Sequence, residues 1–206
     1  MSRGSSLLPL FLDLSGRRAV VFGAGPVGLR KAAYLAREAQ VTMVDRCAVE
    51  VPEGVRLIIG DALDNLHLIG GSDIVVAATG DRSVDERVCE EAGRRGKLIN
   101  RSDGPGNFLI PSIMERRNFT VAISTLGRSP GMSRHISKVI DASLPPSMEG
   151  MVDLTEALRD QLKGELPDAR EREGRVRRLL EDPEVWKALG EGPEKALEMA
   201  RRRVLS

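Results

Sequence analysis

The sequence predicts an α/β protein: a doubly wound parallel-sheet domain, then a small α+β segment, then a C-terminal helical domain. Three observations carry this. Up to about residue 112, short and continuously apolar strands alternate with helical stretches, the pattern of a parallel sheet covered on both faces. Within it, AVVFGAGPVGLRKAA (Ala19–Ala33) runs from an apolar strand through a glycine turn into a helix. Beyond Gly150 the chain is helical and highly charged, with breaks at Pro167, Pro183 and Pro193. The expected boundaries are 1–112, 113–149 and 150–206.

The first domain has expected strands at Arg18–Phe22, Val41–Asp45, Val55–Ile59, Asp73–Ala77 and Lys97–Asn100. Helices are expected over Pro26–Glu38 and Ser83–Arg95, with a helical or irregular piece around Ala62–Ile69. Pro26 sits at a helix start, where its missing N–H costs little. Two further strands are expected at Phe108–Ile110 and Phe119–Ser124, separated by the charged Glu115–Asn118. A helix then follows Ser129-Pro130 to about Ser143.

Gly23, Gly25 and Gly28 satisfy G-x-G-x-x-G, the fingerprint of a Rossmann-type dinucleotide site. Gly23 permits the tight turn, Gly25 lets a pyrophosphate approach the backbone, and Gly28 lets the helix pack against the sheet. The backbone of Ala24, Pro26 and Val27 completes the cradle, and free amides at the helix start meet the phosphate charge. Asp45, 22 residues after Gly23, ends the second strand, where an acid accepts from the adenosine ribose hydroxyls and favours NAD. Arg46 beside it leaves some tolerance for NADP. The expected cofactor is NAD.

Other loops at the carboxyl edge of the sheet carry polar residues. Thr79, Gly80 and Asp81 follow the fourth strand and would line the far side of a cofactor, with a helix cap as the plainer reading of Asp81. Asn100 ends the fifth strand and would face the nicotinamide half. Asp103 stands three residues on, a carboxylate placed to take or deliver a proton, or else to close an Asx-type turn. Ser124 and Thr125 end a later strand, and Arg128, Ser129, Arg134 and His135 follow, with Ser129 as N-cap. Arg101, Arg116, Arg117, Arg128, Arg134 and Lys138 face only Asp103 and Glu115 across that stretch, which suggests a polycarboxylated or phosphorylated substrate, or an ordinary solvated face.

Composition excludes several classes. A chain of 206 residues with 41% hydrophobic content holds one full domain and a smaller one. A net charge of +1 gives no electrostatic case for nucleic acid or membrane binding, and 3% aromatic content is too sparse for base stacking. Cys47 and Cys89 lie far apart and, with His67 and His135 the only histidines, supply no metal site. The apolar Leu7–Leu12 is broken by Pro9 and closed by Asp13, so neither a signal peptide nor a span is expected. The expected location is cytoplasmic.

Several blocks together resemble a known family. Leu8-Pro-Leu-Phe-Leu-Asp-Leu, the Gly23–Ala32 turn, Ala77-Ala-Thr, Asn100-x-x-Asp103, Phe108-Leu-Ile-Pro-Ser112 and Ser129-Pro130 occur in the order seen in siroheme synthases. Over roughly residues 7–145 the chain resembles the precorrin-2 dehydrogenase/sirohydrochlorin ferrochelatase component of that pathway. The resemblance implies NAD-dependent oxidation of precorrin-2 to sirohydrochlorin and, in some members, insertion of Fe²⁺ to give siroheme. It implies a homodimer formed through the 113–149 segment, with C-terminal helices helping to close the active site. The family's essential aspartate falls on Asp103, as acid/base. Precorrin-2 is polycarboxylated, so Ser124, Thr125, Arg128, Ser129, Arg134 and His135 become substrate contacts. An NAD-sensing regulatory module of the potassium-channel type is the alternative: Gly60-Asp61 and Ala77-Ala-Thr-Gly-Asp81 fit it, whereas everything after Asn100 has no purpose there.

Overall fold

The computed structural model describes residues 7–205, and the chain divides into two compact units, one running to Ile110 and one starting at Pro111. The first is a five-stranded parallel sheet in the order β3-β2-β1-β4-β5. Its strands are β1 (Arg18–Phe22), β2 (Gln40–Asp45), β3 (Val55–Ile59), β4 (Ile74–Ala77) and β5 (Leu98–Arg101). The order reverses between β1 and β4, which opens a crevice at the carboxyl ends of those strands.

The central strands β1 and β4 are buried on both faces, as their apolar runs require, while the edge strand β3 is only partly covered. Alternation sends Val21, Met43 and Val76 to one side, under α1 (Pro26–Leu35). It sends Val20, Val44, Val75 and Ile99 to the other, under α2 (Arg82–Arg94) and a 3-10 turn over Leu66–Gly71. Helix α1 ends three residues earlier than the sequence suggests, and the link from β2 to β3 has no helix, only the half-buried Val49 and Val51 packed on the sheet.

One expected strand is not formed. Phe108–Ile110 has no strand pairing, because the Asn107 side chain takes the place of a neighbour strand. Its Oδ1 accepts from Ile99 N at 2.6 Å and its Nδ2 donates to Lys97 O at 2.8 Å, closing the open edge of β5. Gly106 lies so close that a Cβ there would stand 2.3 Å from Ile99 O.

The second unit opens with an antiparallel pair, β6 (Ser112–Glu115) and β7 (Thr120–Ile123), with Ser112 opposite Ile123. Glu115 therefore belongs to β6, not to the turn. Helix α3 (Pro130–Ser143) packs on this pair. Four helices follow: α4 (Ser147–Glu165), α5 (Ala169–Leu180), α6 (Pro183–Glu191) and α7 (Pro193–Leu205). Met151, Leu154, Leu158, Leu162, Leu179 and Val185 form their common core. Asp168 and Asp182 cap α5 and α6, and Pro183 stands in the first turn of α6, so the breaks seen in the sequence are helix starts.

Candidate active site

The glycine turn is built by close approach. Gly23 has φ +99°, and a Cβ there would stand 2.2 Å from Ala78 O. A Cβ on Gly28 would stand 2.0 Å from Gly23 O, so α1 rests directly on the turn. Gly25 is different: nothing lies within 4 Å of its Cβ direction, and the space in front of it is open. Gly25 caps α1 without a side-chain bond, Pro26 has no N–H, and the amides of Gly25, Val27 and Gly28 donate to no acceptor among the described residues. This open, donor-lined cradle at a helix start fits a pyrophosphate.

Asp45 ties the cradle to β2. Its Oδ2 accepts from Ala24 N at 2.6 Å and its Oδ1 from Cys47 N at 2.9 Å, which leaves further lone pairs for a ribose. Arg46 donates to Asp61 from Nε at 2.9 Å, a contact invisible in the sequence. On the β4 side Thr79 is held twice by Asp85 Oδ1, through its amide at 3.0 Å and its hydroxyl at 2.7 Å. Asp85 is 1% exposed, the one buried carboxylate of the described residues. The signal for it was periodicity, since Val84, Val88 and Ala92 share its buried helix face. Gly80 takes φ +80°, and Asp81 caps α2 by accepting from Ser83 N and Val84 N. The Ser83 hydroxyl and these amides hold the Asp81 carboxyl below its usual range.

At the end of β5, Asn100 is buried, with Nδ2 donating to Phe108 O at 3.2 Å and Oδ1 without a donor. Two residues on, the loop is pinned: Ser102 N donates to Ala77 O at 3.0 Å and Lys31 Nζ donates to Ser102 Oγ at 3.1 Å. Burial, then neighbouring Arg30, lowers the Lys31 pKa, against the opposing pull of Asp85 and Asp103. Asp103 stands half-exposed and accepts from Arg101 Nε at 3.0 Å. Arg101 is nearly buried and also reaches Glu86 Oε1 at 3.5 Å. Sequence reasoning missed Lys31 as part of this loop and counted Arg101 as a substrate cation.

Thus the first unit gathers Gly23–Gly28, Asp45, Arg46, Thr79–Asp81 and the Asn100–Asp103 loop at one edge of its sheet. The remaining site residues belong to the second unit, at the β7–α3 connection. Thr125 Oγ1 accepts from Ser129 N at 3.0 Å and donates to Ser129 O at 2.9 Å, and Thr125 N donates to the buried Ser133 Oγ at 3.2 Å. Ser124 Oγ accepts from Leu126 N at 3.0 Å, and Ser129 Oγ caps α3 at Met132 N. These hydroxyls build a turn whose Leu126 and Gly127 have positive φ. The cationic run splits in two. Arg116 pairs with Asp141 and Arg117 with Asp153, whereas the exposed Arg128, Arg134, His135 and Lys138 make no ion pair among the described residues.

Among the described residues no cluster of three His, Cys, Asp or Glu forms metal donors, and no helix is long and apolar enough to cross a membrane. The parallel sheet and its open cradle define a dinucleotide-binding domain. Comparison with known proteins agrees: residues 10–112 match the family described as "Putative NAD(P)-binding". The chain is 34% identical to the precorrin-2 dehydrogenase of Methanosarcina barkeri over 97% of its own length and 94% of that protein. It is 30% identical to the siroheme synthase of Pseudomonas fluorescens over 91% of its length, spanning 42% of that longer protein. The solved structure of SirC, precorrin-2 dehydrogenase, shares the fold, with TM-score 0.71 at 21% identity over 95% of this chain and all of that one. The chain belongs to the precorrin-2 dehydrogenase family, and it is an NAD-dependent oxidoreductase.

Proposed function

We propose that this protein oxidises precorrin-2 to sirohydrochlorin with NAD in siroheme biosynthesis. The observation that carries this is the near full-length match to the Methanosarcina barkeri enzyme. The open cradle at Gly25 and the carboxylate of Asp103 at the same sheet edge supply the parts such a reaction needs.

The dinucleotide, when bound, supplies a hydride acceptor. The Gly25, Val27 and Gly28 amides would hold its pyrophosphate, Asp45 its ribose, and Thr79, Gly80 and Asn100 would line its other half. Asp103 takes the proton that leaves the macrocycle as the hydride departs, and Arg101 keeps its carboxylate aimed. Arg128, Arg134 and His135 are assigned to the substrate carboxylates, since they are exposed and unspent. Ser124, Thr125 and Ser129 shape that loop. We assign the protein to the cytoplasm and expect it to act as a homodimer. The siroheme synthase relatives favour a second step in which Fe²⁺, as substrate, enters sirohydrochlorin. The sensor alternative loses its ground, because the match to an enzyme runs through the segments it leaves without purpose.

Anaerobic incubation with precorrin-2 and NAD, then with Fe²⁺, tests both steps by absorbance. Sirohydrochlorin in the first stage supports the dehydrogenase, and its absence with NAD bound would overturn it. A siroheme spectrum in the second stage, faster than without protein, supports the chelatase step.

A further inference from the structure

Arg46 follows Asp45 at the end of β2, where a guanidinium can meet a 2′-phosphate on the adenosine ribose. In this structure that guanidinium is engaged. Asp61 Oδ2, two residues past β3, accepts from Arg46 Nε at 2.9 Å and from its NH2 at 2.5 Å. Asp61 is the fixed partner. Its Oδ1 accepts from Leu63 N at 2.8 Å, its carbonyl accepts from Asn65 Nδ2 at 2.8 Å, and the preceding Gly60 N donates to Asp45 O at 2.8 Å. The β3 loop is thereby laced to the end of β2, and Arg46 comes to it. Asp61 is 30% exposed against 72% for Arg46, which fits an anchored acid and a draped base. Asp81 and Asp45 also act on Arg46 at longer range. Asp61 on the guanidinium and Asp45 beside it in the chain together outweigh the one charge of Arg46 at the ribose end of the site.

We propose that Asp61 is a determinant of cofactor specificity: it draws Arg46 onto the β3 loop and, with Asp45, sets the ribose end of the site against a 2′-phosphate. The inference rests on the dinucleotide site alone and is independent of the tetrapyrrole substrate. An exposed ion pair is weak, so Arg46 is restrained rather than locked. Removing the Asp61 charge both frees Arg46 and deletes one repulsion, which should shift the NADP/NAD affinity ratio by about three- to tenfold.

Calorimetric titration of NAD⁺ and NADP⁺, without tetrapyrrole, reads this directly. Wild type should prefer NAD⁺. Asp61→Asn, which keeps an acceptor for Leu63 N, should bind NADP⁺ about three- to tenfold more tightly. The double variant Asp61→Asn/Arg46→Ala should keep only the part of that gain that the lost repulsion supplies, and so bind NADP⁺ less tightly than Asp61→Asn, while Asp61→Glu, which keeps the charge, should retain the wild-type ratio. Thermal melts establish that each variant is folded. An unchanged ratio in folded Asp61→Asn, or a gain that survives undiminished in the double variant, would overturn the inference. Wild type binding neither dinucleotide would overturn it together with the dinucleotide reading, whereas failure to oxidise precorrin-2 would leave this result standing.

Discussion

Arg101 Nε and Asp103 Oδ1 meet at 3.0 Å across a single intervening residue, with the guanidinium side chain 9% exposed and the carboxylate side chain 51% exposed. The buried cation orients an accessible carboxylate, and Lys31 pins Ser102 between them. An arrangement of this kind leaves one accessible acid at the carboxyl edge of the sheet.

Asp103→Asn keeps the shape and the Arg101 contact while removing the proton acceptor. NAD affinity should stay within about twofold, and kcat for precorrin-2 oxidation should fall roughly 10²- to 10⁴-fold. Turnover close to wild type in stopped-flow assays would remove Asp103 from the chemistry.

The split of the cationic run predicts two kinetic signatures. Arg134→Glu or Arg128→Glu should raise the substrate KM about tenfold or more with a smaller change in kcat, because these side chains make no ion pair among the described residues. Arg101→Gln should instead lower kcat, since its contacts are to Asp103 and Glu86. Steady-state kinetics separate the two, and identical signatures would merge them.

Gly23 and Gly25 should respond differently to alanine. Gly23→Ala places a methyl against the Ala78 carbonyl at positive φ and should destabilise by about 1–3 kcal/mol. Gly25→Ala meets nothing, at φ −69° and ψ 175°, and should melt within about 1 kcal/mol of wild type. It should nonetheless weaken NAD by roughly tenfold or more, since its methyl enters the pyrophosphate cradle. Calorimetry and thermal melts read both effects.

Asp81 sets an acid-side stability effect. Its folded pKa is lowered by the Ser83 hydroxyl and the Val84 and Ser83 amides, so its contribution is complete above the unfolded value of about 3.9 and is lost as pH falls through the lower folded value. Asp81→Ala should melt below wild type at neutral pH, with the gap closing below about pH 4. A gap that is constant with pH would mean the carboxylate does not cap α2.

Much of this was readable from the chain because local signals agreed. The strands Arg18–Phe22 and Val55–Ile59 and the helix Pro130–Ser143 stand where apolar runs and the Ser129-Pro130 start place them. Phe108–Ile110 misled because its apolar run comes from a half-buried Phe108 packed on the α1-side core beside an exposed Leu109, and the edge of β5 is met by a side-chain amide rather than a strand. Pairings between distant loops were beyond reach: nothing local in Arg46 announces Asp61, and nothing in Lys31 announces Ser102. Such contacts follow from strand order, which decides which loops become neighbours.

The central claim is that NAD is the oxidant for precorrin-2 in this protein. The direct measurement is an anaerobic stoichiometry of NADH and sirohydrochlorin formed by the wild-type protein. Equimolar appearance of the two, with no sirohydrochlorin when NAD is left out, is the predicted result. Sirohydrochlorin formed equally fast without NAD, or no oxidation by protein that binds NAD, would contradict it.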